Sequence, residues 1–282
     1  MNNPLDKISE QDMLESLSRS GYLLESETTK RLVDYGLFVE PNIMALDPLT
    51  GKSREIDLVA EYQLDFDPER SKNKTVAFTR FVFEIKNNNA PLVLLTKFAD
   101  SPNSEIYDAL KMRKTVPKGL ESIFYLDFYE VLFNEGSKNL FTQYCSFSKK
   151  KNEELMAHHP ENIYSALAKI ANYCEEATET DNEEIEPNNG YLRNFLYLPV
   201  VLIKDDLYEL EIVEDDKHKL TQVDCSHLVF NYHFNQRPCS SIIYFITTKG
   251  LEEFLKVLHN AGKEVEKNML EAKLQLLKKT PS

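Results

Sequence analysis

Tryptophan is missing from this chain and glycine is scarce, with eight glycines in 282 residues. So little glycine argues against phosphate-cradling loops, and no P-loop, dinucleotide-binding, GxSxG or HExxH pattern occurs. The four cysteines, Cys145, Cys174, Cys225 and Cys239, form no CxxC pair and no zinc-ligand spacing. They read as scattered structural thiols of a reducing compartment. No run approaches the ~18 apolar residues that a bilayer span requires. The first residues, Met-Asn-Asn-Pro-Leu-Asp-Lys, have neither the basic start nor the apolar segment of a signal peptide. The expectation is a soluble cytoplasmic protein with no membrane partner. Basic charge is short as well: 33 Lys and Arg against 46 Asp and Glu, a net charge of −13. That balance speaks against a protein that coats nucleic acid, because phosphate contacts dominate such affinity. Part of the deficit is local, since residues 174–186 hold seven acids and no base.

What is present is a foldable core. Hydrophobic residues make up 42% of the chain, with fourteen Tyr and sixteen Phe, enough to bury a sizeable interior. Apolar spacing over residues 8–36 predicts helix, from Met13, Leu14 and Leu17 to Leu24, Thr28 and Leu32. Gly21 marks a break between two helices and Gly36 the end of the second. Phe38 to Leu46 reads as a strand. The turn signal Asp47-Pro48-Leu49-Thr50-Gly51-Lys52 follows, then a second strand, Arg54 to Ala60, completing a hairpin. After a polar loop from Asp65 to Lys74 comes Phe81-Val82-Phe83-Glu84-Ile85-Lys86. Alternation sends Phe81, Phe83 and Ile85 to one face and Glu84 with Lys86 to the other.

Asn87-Asn88-Asn89-Ala90-Pro91 is a turn, so no helix starts directly after Lys86. Residues 104–114 read as helix and Ser122 to Phe133 as one or two strands, within an insertion or lobe at about 90–150. Pro160 to Glu176 carries the stripe Ile163, Leu167, Ile170, Ala171 and Cys174, a candidate crossover helix. The acidic stretch 175–190 reads as a loop. Phe195 to Ile203 is a nearly continuous apolar run, as in a strand buried on both faces. Leu207 to Val213 and Ile242 to Thr247 are further strands, and Leu251 to His259 a helix. The organisation expected is a single domain over 1–262 and a helical tail over 263–282.

Glu25 on the helix, Asp57 in the hairpin and Glu84-Ile85-Lys86 on the next strand, in that order, resemble the signature of the PD-(D/E)xK nuclease superfamily. Its nearest-looking branches are type IV restriction enzymes and archaeal Holliday-junction resolvases. The resemblance covers roughly residues 20–90, and more loosely 160–203. It implies a restriction-endonuclease-like α/β fold, a mixed central sheet flanked by helices. It also implies a Mg²⁺-dependent nuclease, with Mn²⁺ as a substitute ion, acting on nucleic acid, DNA above all, in a restriction or anti-phage setting. Asp57, Glu84 and the Ile85 carbonyl would hold the ion. Lys86 would orient or help deprotonate water and offset phosphate charge. Glu25 would act as a ligand or position water, with Glu27 as the alternative helix acid. Glu55 is in phase with Asp57 and reads as a neighbour rather than a ligand.

Three departures qualify the resemblance. There are 26 residues between Asp57 and Glu84, more than compact members use. No glutamine-bearing helix follows Lys86 directly, leaving Gln143 as a substitute. No separate DNA-reading module is evident. Ser148-Lys149-Lys150-Lys151 is a short basic cluster, and His158-His159 reads as a surface pair at a helix start. The alternative function is a catalytically silent module of the same fold, binding a protein partner or a second copy of itself. RNA as substrate is a third.

Overall fold

The computed structural model describes residues 8–46, 50–62, 75–98, 139–150, 154–184, 192–204, 206–214, 217–257 and 259–260, with positions 263, 267 and 271. Over these described residues it is an α/β protein with a large mixed sheet of 11 strands and four helices.

Helix α1 (Glu10–Ser20) opens with a capping box in which Ser9 and Asp12 satisfy each other's backbone N–H groups. It stops at Gly21, whose φ of 96° favours a residue without Cβ. Helix α2 (Tyr22–Asp34) follows at once, burying Leu24, Thr28 and Leu32 along one stripe. The break expected at Gly21 between two helices is present, as a one-residue joint. Met13, Leu14 and Leu17 of α1 stay exposed, although their spacing suits a buried face.

Strands β1 (Leu37–Leu46), β2 (Ser53–Tyr62) and β3 (Thr75–Lys86) form an antiparallel meander. Then come β4 (Leu92–Lys97), β5 (Leu140–Lys149), β6 (Leu155–His158) and helix α3 (Glu161–Glu184). Strands β7 (Leu192–Ile203), β8 (Leu207–Glu214), β9 (Lys217–Val223), β10 (Cys225–Phe234) and β11 (Arg237–Thr247) follow, with a C-terminal helix α4 starting at Leu251. The sheet runs β1-β2-β3-β7-β11-β10-β5-β4-β8-β9, with β6 on β5.

Strand β7 lies parallel to β3 from Thr75↔Leu192 to Lys86↔Ile203. Parallel neighbours need a crossover, and α3 lies on the path between them. Leu196, Leu198, Val200 and Leu202 of β7 enter one core, and Tyr197, Val201 and Ile203 the other, as a strand buried on both faces should. Phe81, Phe83 and Ile85 of β3 join the first core. Val82 joins the second, together with Ile163, Leu167 and Ile170 of α3. The Glu84 face of β3 is therefore roofed by a helix.

Three expectations change. Helix α3 continues to Glu184, so the acidic stretch is helical over its described part. Its acids find partners: Asp181 with Arg80 and Tyr197, Glu179 with Arg237, Glu175 with Tyr232. The described ends of the 90–150 segment are β4 and β5, both strands of the main sheet. Strands β9 and β10 went unread as well, since Lys217–Val223 is largely exposed and carries no apolar alternation. The helix read at 104–114, the one or two strands at 122–133, the loop at 65–74, Asp47–Leu49 and Lys151 lie outside the described residues, as does nearly all of the tail at 263–282.

At the end of β11 the chain passes hard against the turn before β10. Thr247 donates its N–H to the Asp224 carbonyl and its hydroxyl to the Asp224 carboxylate. A Cβ on Gly250 would stand 2.5 Å from the Asp224 carbonyl oxygen and 2.9 Å from its Cβ. Gly250→Ala must push backbone apart, so a loss of about 2 kcal/mol in urea unfolding is expected. An unchanged midpoint would mean that this turn yields freely.

Candidate active site

The ladder between β2 and β3 is registered from Tyr62↔Thr79 to Leu58↔Phe83 and stops there. Beyond that point Asp57 takes up a freed amide with its side chain: Ile85 N–H donates to Asp57 Oδ2 at 2.6 Å. On the other side of β2, the β1 register skips Asn42 and Asp57, and Asn42 has a positive φ of 56°. Leu58 belongs to one core and Ile56 to the other, although strict alternation would give them the same face. Asp57 thus sits at a local irregularity of the hairpin, where β2 and β3 part.

Glu84 is only 1% exposed, whereas its sequence reads equally well as a surface pair. Two ammonium groups hold it. Lys86 Nζ lies 2.7 Å from Glu84 Oε2, and Lys169 Nζ forms an ion pair with Glu84 Oε1. Lys86 Nζ also stands 4.0 Å from Asp57 Oδ2, so one cation serves both carboxylates. Lys169 projects from α3 and additionally donates to the backbone carbonyl of Glu55.

Glu25 reaches the edge of this group through the α1–α2 joint. Asn87, next after Lys86, donates its side-chain amide to the Ser18 carbonyl at 2.7 Å and the Arg19 carbonyl at 3.0 Å. That contact seats the start of α2 beside the end of β3. Glu25 is half-buried and Glu27 exposed, which separates the two helix acids.

The protonation tendencies show an excess of acid. Burial, then Asp57, raise the Glu25 carboxyl above its ordinary value; Lys86 opposes them, and Glu84 and Glu55 add to the rise. Burial pushes Glu84 up too, opposed by Lys86, reinforced by Asp57 and opposed again by Lys169. Burial pulls the Lys86 ammonium down, yet Glu84, Asp57 and Glu25 outweigh it and hold Lys86 above its usual range. The three acids thus hold Lys86 toward its charged, donating form.

Hard oxygen donors that repel one another suit a hard divalent cation. Glu25, Asp57 and Glu84 are such a set, and Lys86 already bridges two of them. Among the described residues no three His, Cys, Asp or Glu side chains stand close enough to hold an ion together. An ion here would thus have Asp57 and Glu84 as side-chain ligands, the Ile85 carbonyl as the main-chain ligand, and water for the rest.

Other expected residues fall elsewhere. Gln143 on β5 accepts a hydrogen bond from Thr96 on β4, and β5 lies four strand steps from β3, or roughly 19 Å at strand spacing. It cannot substitute for a helix residue at the site. Lys149 ends the same strand and is exposed. His158 and His159 are exposed just before α3, with the His159 ring 4.5 Å from that of Tyr144. A groove of about 920 Å³ opens between α3 and the β10–β11 hairpin, lined by Glu176, Glu179, His233 and Asn235 among others; none of the site acids borders it.

Lys169 is the residue that sequence reasoning missed. It lies beside Ala168 and Ile170, on a helix read only for its apolar stripe. Its one available signal was its place on the crossover helix. No two of the four cysteines are joined in a disulfide. Among the described residues no helix is long and apolar enough to cross a membrane. Set beside known proteins, the chain matches no family model, no curated protein and no solved structure.

Proposed function

We propose that this protein is a divalent-metal-dependent nuclease with a restriction-endonuclease-like core, hydrolysing phosphodiester bonds of nucleic acid, DNA first. The observation that carries this reading is the buried Glu84 carboxylate, held beside Asp57 by a lysine two residues further along the same strand. The element order supports it: helix α2, the meander β1-β2-β3, crossover helix α3 and parallel strand β7. Asp57 and Glu84, with the Ile85 carbonyl, would hold Mg²⁺ or Mn²⁺. When bound, the ion supplies charge neutralisation on the phosphoryl oxygens and a more acidic water. Lys86, charged and pinned between two acids, orients the attacking water by donating to it and offsets charge on the phosphate. Glu25, whose proton affinity is raised, accepts a hydrogen bond from water on the α2 side. A restriction or anti-phage role, and a second copy or another protein as partner, belong to the same proposal.

A catalytically silent binding module is the second reading, favoured by the ion pairing of both Glu84 oxygens and by the net charge of −13. One assay separates the two. Linear, circular and branched DNA, and RNA, are incubated with the protein and Mg²⁺ or Mn²⁺, beside Asp57→Asn and Lys86→Ala. The nuclease reading expects metal-dependent products that fall about a hundredfold or more in both variants. Products that persist in both would sink the site, and no products on any substrate would favour the binding module.

A further inference from the structure

The acid that the proposed nuclease most needs for its ion is already occupied. Glu84 Oε2 faces Lys86 and Glu84 Oε1 faces Lys169, in an environment with almost no solvent access. A divalent cation entering here must displace at least one ammonium from the carboxylate. The two lysines differ in how firmly they are kept. Lys86 is shared between Glu84 and Asp57 and stays beside the site on its own strand. Lys169 comes from a separate element, α3, and among the described residues its other polar contact is the backbone carbonyl of Glu55. Exposure does not separate the two, at 14% for the Lys169 side chain and 21% for that of Lys86, so the difference lies in what holds each. A long, flexible lysine stem lets the Lys169 ammonium move away without shifting the helix.

We infer that Lys169 is a latch on Glu84: it competes with the divalent ion for the carboxylate until a substrate phosphate draws its ammonium away. This rests on the nuclease reading of the same site. Lys169 thereby changes partner from a carboxylate to a phosphate, and Glu84 is released to the ion at the moment the phosphodiester arrives. Ion and nucleic acid then bind cooperatively, since each favours the unlatched arrangement, and that coupling is reciprocal. Lys169 is a positioning residue in the free protein and a phosphate contact in the loaded one. The latch also limits idle ion binding in a protein whose acidic charge would otherwise attract it.

The test measures Mn²⁺ binding to the free protein by calorimetry or electron paramagnetic resonance. Wild type is compared with Lys169→Gln, Lys169→Met, Lys169→Arg and Glu84→Gln, each checked for native circular dichroism. Removing the competing ammonium should tighten Mn²⁺ about tenfold in Lys169→Gln and Lys169→Met. Lys169→Arg should stay near wild type, and Glu84→Gln should lose this binding. A purely structural lysine would give the opposite sign, because a loosened site binds ions less well. The second measurement is the Mn²⁺ concentration for half-maximal cleavage at saturating duplex DNA. In wild type it should lie about tenfold below the dissociation constant of the free protein, and in Lys169→Gln the two should coincide. Unchanged or weaker Mn²⁺ binding in both neutral variants, with binding still dependent on Glu84, would overturn the latch alone. Equal constants in wild type would also overturn it. Absence of any Glu84-dependent Mn²⁺ binding would instead overturn the metal site, and the latch with it.

Discussion

Glu84→Gln is expected to lower cleavage by about a thousandfold or more while leaving the fold at least as stable as wild type. Lys86→Met should lose activity too, yet cost about 3 kcal/mol of stability. The asymmetry follows from charge balance. Glu25, Asp57 and Glu84 face Lys86 and Lys169, three acids against two bases. Burial and Asp57 both hold Glu84 toward its protonated form, so an uncharged isostere there relieves repulsion as well as breaking two ion pairs. Lys86 is held toward its charged form, so removing it leaves Asp57 and Glu84 confronting each other with less compensation. Counting salt bridges alone predicts that both variants destabilise. Urea unfolding at neutral pH, run beside the cleavage assay, distinguishes the two accounts. A marked loss of stability in Glu84→Gln would show that the lysine pairs outweigh desolvation, and the acid-excess picture would fail.

Lowering pH from 7 to 4 is expected to remove about 3 kcal/mol of stability through one histidine, His227 on β10. Its ring is 2% exposed, 4.8 Å from that of Tyr244 in an edge-on arrangement, and burial drives its pKa down to about 4, with a hydrogen bond to the Asn139 backbone opposing the shift. The folded pKa thus lies below the ordinary 6.5. Between these values the unfolded chain binds a proton that the folded protein refuses. Stability therefore falls as pH falls through the window, by ~1.4 kcal/mol per pH unit. Glu25 and Glu84, whose proton affinities are raised, act in the opposite sense over part of that range. The measurement is a difference: stability against pH for wild type and for His227→Phe, which keeps a ring against Tyr244. The variant is less stable at neutral pH for want of the Asn139 bond, but its acid slope should be shallower. Parallel slopes would remove His227 as the cause.

Much of the site was legible because its residues lie on short, regular elements. A period of two put Glu84 and Lys86 on one face of β3, and helical spacing with Gly21 and Gly36 delimited α2 and hence Glu25. The buried strand β7 announced itself as an apolar run. Illegible were the features that depend on what covers what. Glu84 and Lys86 read equally well as a solvated pair, and only α3 lying over that face buries Glu84 and half-buries Lys86. The continuation of α3 to Glu184 was hidden because an acidic stretch without bases looks like a loop. Asp181 and Glu179 stay helical because Arg80, Tyr197 and Arg237 arrive from β3, β7 and β11. Strands β4 and β5 were read as an insertion because their sheet neighbours, β8 and β10, lie far along the chain.

The sequence by itself determined the residue types at the candidate site, their order, and the face that Glu84 and Lys86 share on β3, since backbone periodicity is local. The tertiary structure alone decided that Lys169 joins them and that Lys86 spans Asp57 and Glu84. It also decided that the acids outnumber the bases around a Glu84 carboxylate that is itself almost fully buried. Those are relations between elements distant in the chain, and electrostatic strength depends on burial that only packing creates.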